Sequence, residues 1–437
     1  MKRDSFLRAV LLIAVPVALQ SMLQASFSII DQIMIGQLGT VSVAAVGLAS
    51  KFSSIYNVLV SALATVSGIM IAQYLGNKNQ NEVHRSFYLN LVIGFILAIV
   101  FMTAGVFFNE GVMSLYTKDV HTLLESAEYL FITSFGFVAL GLTTMLSTLF
   151  RCIEKASLPL YASIVAAVLN TVLNYVFIFI FELGYKGAAY ATVISQYVNL
   201  LIVLVMFIKY RDTVRKENRP YDRFDVKWYL GILMPLLICE FMWSLGENIY
   251  AAIYGNMSTA SSAAMTLINP IQGLMIGALC GLSSAAGILI GKMLGAREND
   301  EACRSGKRLL LYGFAGSVIL SIVIVLTRGI YVNIYNVESE IKELTKMILI
   351  AYAIVAPFKV ANMILGGGIL RSGGKTTITM AVDLIGTWVF GVPLGLISAF
   401  IFKLSIPYVY FILSLEEVVR FIISMFIFKS RKWMASF

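Results

Sequence analysis

Four polar side chains in the first half of the chain lie within or at the end of apolar stretches. Asp31 ends the first apolar stretch, and Thr192 lies in the sixth. Asn170 and Asn174 are four residues apart in the fifth, so they share one face of a helix. Hard cations prefer oxygen ligands of this kind, and such groups can also share a proton. The four residues are therefore candidate ligands for Na⁺ or H⁺.

Each of these residues also has a structural alternative. Asp31 could be an interfacial acid at a helix end, and the asparagines could join two helices by hydrogen bonds. Thr192 could bond its own backbone. Their depth favours a site, because polar groups inside a bilayer are costly and usually face a cavity.

The second half of the chain carries acids at similar depth. Glu240 and Glu247 are seven residues apart on one side of the seventh apolar stretch, and Asp383 lies early in the eleventh. A carboxyl group near the midplane could exchange protons or bind a cationic substrate. We treat these three as substrate or proton candidates; hydrogen-bonded packing is the alternative.

Further charges in apolar stretches have simpler explanations. Glu416 and Glu417 precede Arg420 by four and three residues, which predicts an ion pair within one helix. Lys51 and Lys359 are expected to extend their ammonium groups to the membrane interface.

Composition indicates which elements must position these groups. The 437-residue chain is 59% hydrophobic and 13% charged, with a mean hydropathy of +0.84. Soluble proteins are typically about 25% charged. Apolar stretches of roughly 20 residues are long enough to cross a bilayer as helices. The sequence therefore predicts an all-α polytopic membrane protein with spans at about 9–31, 52–74, 87–108, 128–150, 159–181, 187–208, 229–253, 264–291, 309–327, 347–369, 378–402 and 406–428.

Lys and Arg concentrate at both termini and in alternate loops. By the positive-inside rule, both termini are cytoplasmic and the number of spans is even, in a multi-pass protein of the cell membrane. The first apolar run continues to about Ile30 without a cleavage site, so it is predicted to be a membrane helix and not a signal peptide. The net charge of +9 follows from this loop asymmetry and does not indicate nucleic-acid binding.

Catalytic and metal-binding patterns do not stand out. The four cysteines lack metal-ligand spacing, and the two histidines are far apart. A membrane-embedded transferase would need a paired catalytic constellation on one helix face, and the sequence offers none. We therefore expect a protein that is not an enzyme and has no resident cofactor or metal.

The two halves of the chain repeat each other. A shift of 219 places Pro16 on Pro235, Gly36 on Gly255, and SGIMIAQYLG (67–76) on AGILIGKMLG (286–295), and one residue more places Arg151 on Arg371. The repeat predicts two pseudo-symmetric six-helix bundles, 1–208 and 229–437, joined by a cytoplasmic linker at 209–228. Carriers built from parallel repeats hold substrate between the halves near the midplane.

Several segments resemble the multidrug and toxic compound extrusion (MATE) family of cation-coupled antiporters. They are AQYLG (72–76), LFRCIEKASLPLYASIVAAVLNTVLNYVFIF (149–179) and GAAYATVISQ (187–196), together with Pro16, Asp31, Gly36 and Gly39 in order. The resemblance implies alternating-access efflux of organic, often cationic, compounds in exchange for Na⁺ or H⁺. It also implies that Asp31, Asn170, Asn174 and Thr192 form a cation site.

Two departures from the family pattern leave the coupling ion open. The family often has aspartate where this chain has Asn174, so Asp31 is the only acid in the predicted site. One branch has a seventh-helix glutamate where this chain has Trp243. A flippase for a lipid-linked saccharide, on a related fold, is the alternative function. Expected partners are small organic substrates and the lipid bilayer, and we expect a monomer.

Overall fold

The computed structural model describes residues 3–216, 225–335 and 337–435, and the regular structure in these ranges is helical throughout. Residues 217–224 of the predicted linker lie outside the described part. We number the main helices α1 to α12. They are α1 Arg3–Gly36, α2 Thr40–Gly76, α3 Gln80–Phe107, α4 Val120–Ser134 with Gly136–Cys152, α5 Ser157–Ile180, α6 Gly184–Tyr210, α7 Val226–Met257, α8 Thr259–Gly295, α9 Asn299–Asn333, α10 Ser339–Leu370, α11 Thr376–Ile401 and α12 Ile406–Ser414 with Glu416–Ser430. A short helix, Asn109–Ser114, lies between α3 and α4, and a 3₁₀ turn, Arg211–Val214, follows α6.

Ten of the described helices are long and apolar enough to cross a bilayer, and α4, with a 45° bend, makes eleven. α12 is interrupted at Leu415, and Glu416, Glu417 and Arg420 follow within six residues. Because of these charges, α12 is less apolar than the eleven helices counted above. The prediction of an all-α polytopic fold with twelve helices in two bundles is confirmed.

Several helices extend well beyond their predicted spans. α2 begins at Thr40, whereas the hydropathy pattern placed its start at 52. The additional turns include small residues and Lys51, which lower the hydropathy without breaking the helix. Helix length is therefore greater than the apolar stretch alone indicates.

Contacts group the chain into two compact units, Leu19–Phe224 and Met1–Ala18 with Asp225–Phe437. The boundary falls inside α1, two residues after Pro16. Both units are described separately below.

In the unit Leu19–Phe224, α4 packs against α2, α3 and α6, and α5 packs along α6. Tyr56 is fully buried at this core and donates a hydrogen bond to the Phe137 carbonyl at 2.7 Å. The ring of Tyr56 also packs on Phe101 and Phe137, with centroids 5.3 and 4.7 Å away. α5 ends in a π-helical turn, Val176–Ile180, two residues after Asn174. Such turns occur frequently at functional sites.

In the unit Met1–Ala18 with Asp225–Phe437, α10 packs against α8, α9 and α12, and α11 packs along α7. The first turns of α1 approach α8 at Gly281, where a Cβ atom would collide with the carbonyl oxygen of Ala14. Glycine is required there because only a residue without a side chain allows this approach. The same unit holds the acids of the second half of the chain.

Candidate functional site

The first group of candidates joins α1 to α5. The Asn174 Nδ2 donates to Asp31 Oδ1 at 2.5 Å and to Asn170 Oδ1 at 3.3 Å. The four-residue spacing places both asparagines on the face of α5 that meets Asp31. Three of the four predicted cation ligands therefore form one hydrogen-bonded cluster.

Asn174 has an oxygen available for a ligand. Its side chain is 1% exposed, and its Oδ1 has no hydrogen-bond partner in the described part of the protein. Buried polar atoms are normally satisfied, so an open oxygen beside a carboxylate is suited to a cation. The residues present therefore fit Na⁺, and the carboxylate fits a proton.

Thr192 on α6 joins this cluster through Tyr129 on α4. The Tyr129 hydroxyl interacts with the Thr192 side chain, and it lies within electrostatic range of the Asp31 carboxylate. Tyr129 is buried, at 7% exposure, where α4 packs against α6. The sequence did not indicate a role for Tyr129, because a tyrosine in an apolar stretch usually serves in ordinary core packing.

The charge of Asp31 lacks a fixed partner. Within residues 3–216, 225–335 and 337–435, no lysine or arginine forms an ion pair with its carboxylate, although ten other such pairs occur. Its recorded hydrogen-bond donor is the neutral Asn174 amide. A mobile cation can therefore supply the compensating charge.

The acids Glu240 and Asp383 meet at an arginine. Arg371, directly after α10, donates from Nη1 to Glu240 Oε1 at 3.1 Å, and its Nη2 lies 3.8 Å from Asp383 Oδ2. The Cys239 thiol also donates to Asp383 Oδ2, at 2.8 Å. Arg420 Nη1 lies 3.9 Å from Asp383 Oδ1. The alignment of Arg371 with Arg151 was the signal that could have revealed this cluster.

Glu247 lies in a different place from the other two acids. It lines a cavity of about 250 Å³ with Lys359, Glu416 and Glu417, among other residues of α7, α8, α10 and α12. Glu240 and Asp383 do not line this cavity. The second-half candidates are thus divided between an arginine cluster and a cavity.

The ion pair predicted within α12 is confirmed for Glu416, whose Oε2 lies 3.7 Å from Arg420 Nη2. The expectation that Lys359 reaches the membrane interface is wrong, because its side chain lines the cavity. The carboxylates of Glu416 and Glu417 share this cavity and attract the ammonium group inward.

Comparisons with known proteins identify the family of the chain. The MatE family model matches residues 16–176 and 235–397, so it covers both repeats. The multidrug and toxin extrusion protein 1 of Xenopus tropicalis is 24% identical over 402 residues, 91% of this chain and 69% of that protein. The probable multidrug resistance protein NorM of Thermotoga maritima is 22% identical over 427 residues, 96% of this chain and 92% of that protein.

A solved structure shares the fold. The Vibrio cholerae MATE transporter VcmN in its bent form matches with a TM-score of 0.89 at 18% identity, over 98% of this chain and 97% of that one. The family model covers well over half of the described chain, on both repeats. The protein is therefore a multi-pass membrane transporter that belongs to the MatE family.

Proposed function

We propose that the protein is an efflux antiporter, which exports small organic compounds across the cell membrane in exchange for Na⁺ or H⁺. The observation that carries the proposal is the Asp31–Asn174 pair, a carboxylate without a fixed cation beside an open amide oxygen. The names of the relatives, a multidrug and toxin extrusion protein and a probable multidrug resistance protein, support the organic substrate class.

Coupling requires a group that holds the driving cation in one conformational state and releases it in another. Asn170, Asn174 and Thr192 can contribute oxygen atoms, but only Asp31 can supply a negative charge. Protonation or Na⁺ binding at Asp31 would neutralise that charge inside the bilayer, where it is costly. The lobes 1–208 and 229–437 would then alternate access to the two sides of the membrane, with both termini in the cytoplasm.

The acids of the second half would act on the substrate or on protons. Glu240 and Asp383 are held by Arg371, so either carboxylate must exchange that partner before it binds a cation. Glu247 faces a cavity and needs no such exchange. We therefore place coupling at Asp31 and substrate contact at Glu247.

The test is dye efflux from reconstituted vesicles under an imposed Na⁺ or pH gradient. Asp31→Asn is nearly isosteric, so we expect normal folding and at least a tenfold loss of gradient-driven efflux, or about 1.4 kcal/mol. Asn170→Ala removes one neutral oxygen and should lower efflux by only about two- to fivefold.

Glu110→Gln is a suitable control, because it removes an exposed acid in the short helix Asn109–Ser114. This variant should transport like the wild type. Gradient-driven efflux at the wild-type rate in Asp31→Asn would place coupling elsewhere. The gradient that drives wild-type efflux identifies the coupling ion.

A further inference from the structure

The cavity at Glu247 has a lining of both charges and several tyrosines. It lies among α7, α8, α10 and α12 and measures about 250 Å³. Pockets for drug-sized ligands run from about 300 to 1,000 Å³. The cavity therefore fits a molecule at or below the lower end of the drug-sized range.

Two of the carboxylates in this cavity already have partners. Tyr250 donates to Glu416 Oε2 at 2.6 Å, and Arg420 lies beside the same oxygen. Asn362 donates to Glu417 Oε2 at 2.8 Å. These contacts hold both acids on the wall, so they are fixed parts of the lining.

The other two charges are open. Glu247 on α7 and Lys359 on α10 form no hydrogen bond or ion pair with the side chains that the structure describes, and both face the cavity. They are therefore not within 4 Å of each other. An ammonium and a carboxylate that line one cavity without meeting can be bridged by a ligand that carries both charges.

A buried hydroxyl group points to the same ligand. Tyr352 on α10 is 1% exposed, and its hydroxyl has no hydrogen-bond partner in the described ranges, although the side chain lines the cavity. Buried hydroxyl groups are normally satisfied, so this one is available to a polar ligand atom. The rings of Tyr254, Tyr352 and Tyr410, with Leu413, provide an apolar wall.

We infer that this cavity binds a small zwitterion with an apolar or aromatic body. Its amine lies at Glu247, its carboxylate lies at Lys359 with a hydrogen bond from Tyr352, and its body packs on the tyrosine rings. This inference rests on the proposed function, because it names the substrate class that an antiporter would carry.

The test uses three probes that share one skeleton: phenylalanine, phenethylamine and 3-phenylpropionate. Phenethylamine lacks the carboxylate, and 3-phenylpropionate lacks the amine. Binding to the purified protein is measured by calorimetry without any ion gradient. Phenylalanine should bind at least about tenfold more tightly than either analogue, as expected for one further charge-assisted contact.

Two variants assign the two ends of the ligand. Lys359→Met should reduce phenylalanine binding to the level of phenethylamine, whose own affinity should stay within about twofold. Glu247→Gln should reduce phenylalanine binding to the level of 3-phenylpropionate. Lys342→Met, on the same helix but outside the cavity lining, is the matched control and should bind all three probes like the wild type.

Three results would overturn the inference: no binding of any probe, equal wild-type binding of phenylalanine and phenethylamine, or an unchanged preference in Lys359→Met. Transport is then measured separately. Phenylalanine binding together with no gradient-driven efflux of either phenylalanine or dyes would contradict the antiporter function and leave the site in place. Transport of dyes without phenylalanine binding would support the antiporter function and contradict the zwitterion site.

Discussion

Arg151 and Arg371 occupy equivalent positions in the two repeats, yet their partners differ in charge. Arg151 donates to Gln20 Oε1 at 3.0 Å, and the Gln20 amide donates to Ser163 at 2.7 Å. The repeat offset of 219 to 220 residues places Gln20 on Cys239 and Ser163 on Asp383. In the second half, Arg371 donates to Cys239 Sγ at 3.4 Å, and Cys239 donates to Asp383.

We call the contacts of Arg151 with Gln20 and Ser163 the first junction, and those of Arg371 with Cys239 and Asp383 the second. Among these contacts, carboxylates occur in the second junction. Glu240, next to Cys239, adds a further acid to Arg371. The first half carries Asp31 apart from its junction, at a position whose repeat equivalent is Tyr250. One scaffold therefore holds acids on a fixed arginine in one half and leaves an acid for a mobile cation in the other. This difference supports coupling in the first half.

The largest expected effect on stability is at Arg371. Arg371→Met would leave Glu240 without its cation and Asp383 with only Arg420, 3.9 Å away. Breaking a buried pair in this way costs about 3–5 kcal/mol. Glu240 and Asp383 side chains retain 25% and 30% exposure, so we expect a loss near the lower end of that range. The measurement is thermal unfolding in detergent, followed by maleimide-dye labelling of buried Cys152 and Cys303. An unfolding midpoint equal to that of the wild type would contradict this charge argument.

The second expected effect is a partial recovery. Adding Glu240→Gln and Asp383→Asn to Arg371→Met removes all three charges of the second junction, so neither side chain is left as a carboxylate without a cation. At least about half of the lost stability should return, because the cost arises mainly from uncompensated charge. The same thermal assay measures it. A triple variant less stable than Arg371→Met would mean that shape, and not charge, governs this junction.

The third effect concerns Arg151 and should be smaller. Arg151→Met removes a hydrogen bond from a charged donor to the neutral Gln20 and leaves no carboxylate of that contact uncompensated. Such a bond contributes about 1.5–3 kcal/mol, and we expect the lower end because only one bond is lost. Gln20 keeps its bond to Ser163. The loss of stability should therefore be clearly below that of Arg371→Met. Equal losses in both variants would remove the distinction between the two junctions.

The sequence predicted the fold and part of the site for identifiable reasons. Hydropathy and the 219-residue repeat predicted twelve helices, and the four-residue spacing predicted that Asn170 and Asn174 share a face. The pairing of Asn174 with Asp31 agrees with the expected cation cluster. These features are local or repeated, so they can be read along the chain.

The remaining contacts depend on packing between distant helices. Tyr129 interacts with Thr192 only because α4 packs on α6, and Arg371 meets Glu240 only because α10 ends near α7. Lys359 was expected at the interface because a lysine in an apolar stretch commonly extends its ammonium group toward water. The carboxylates that share its cavity come from α7 and α12, each more than fifty residues away along the chain. Periodicity holds no information on such partners.

The smallest expected effect is on transport in Glu240→Gln. Glutamine keeps a carbonyl oxygen for Arg371, as Gln20 does for Arg151, so the protein should insert and purify normally. It removes one negative charge near the midplane and leaves Asp383 on the arginine. Efflux of a cationic dye should therefore fall by about two- to fivefold, equivalent to less than about 1 kcal/mol, because one charge of a shared cluster is lost. The measurement is efflux from vesicles across a range of pH, beside Asp31→Asn, for which we expect at least a tenfold loss. Wild-type rates at every pH in Glu240→Gln would make Glu240 a structural partner of Arg371 alone. The second junction would then serve only to hold α7, α10 and α11 together, as the first junction does for α1, α4 and α5.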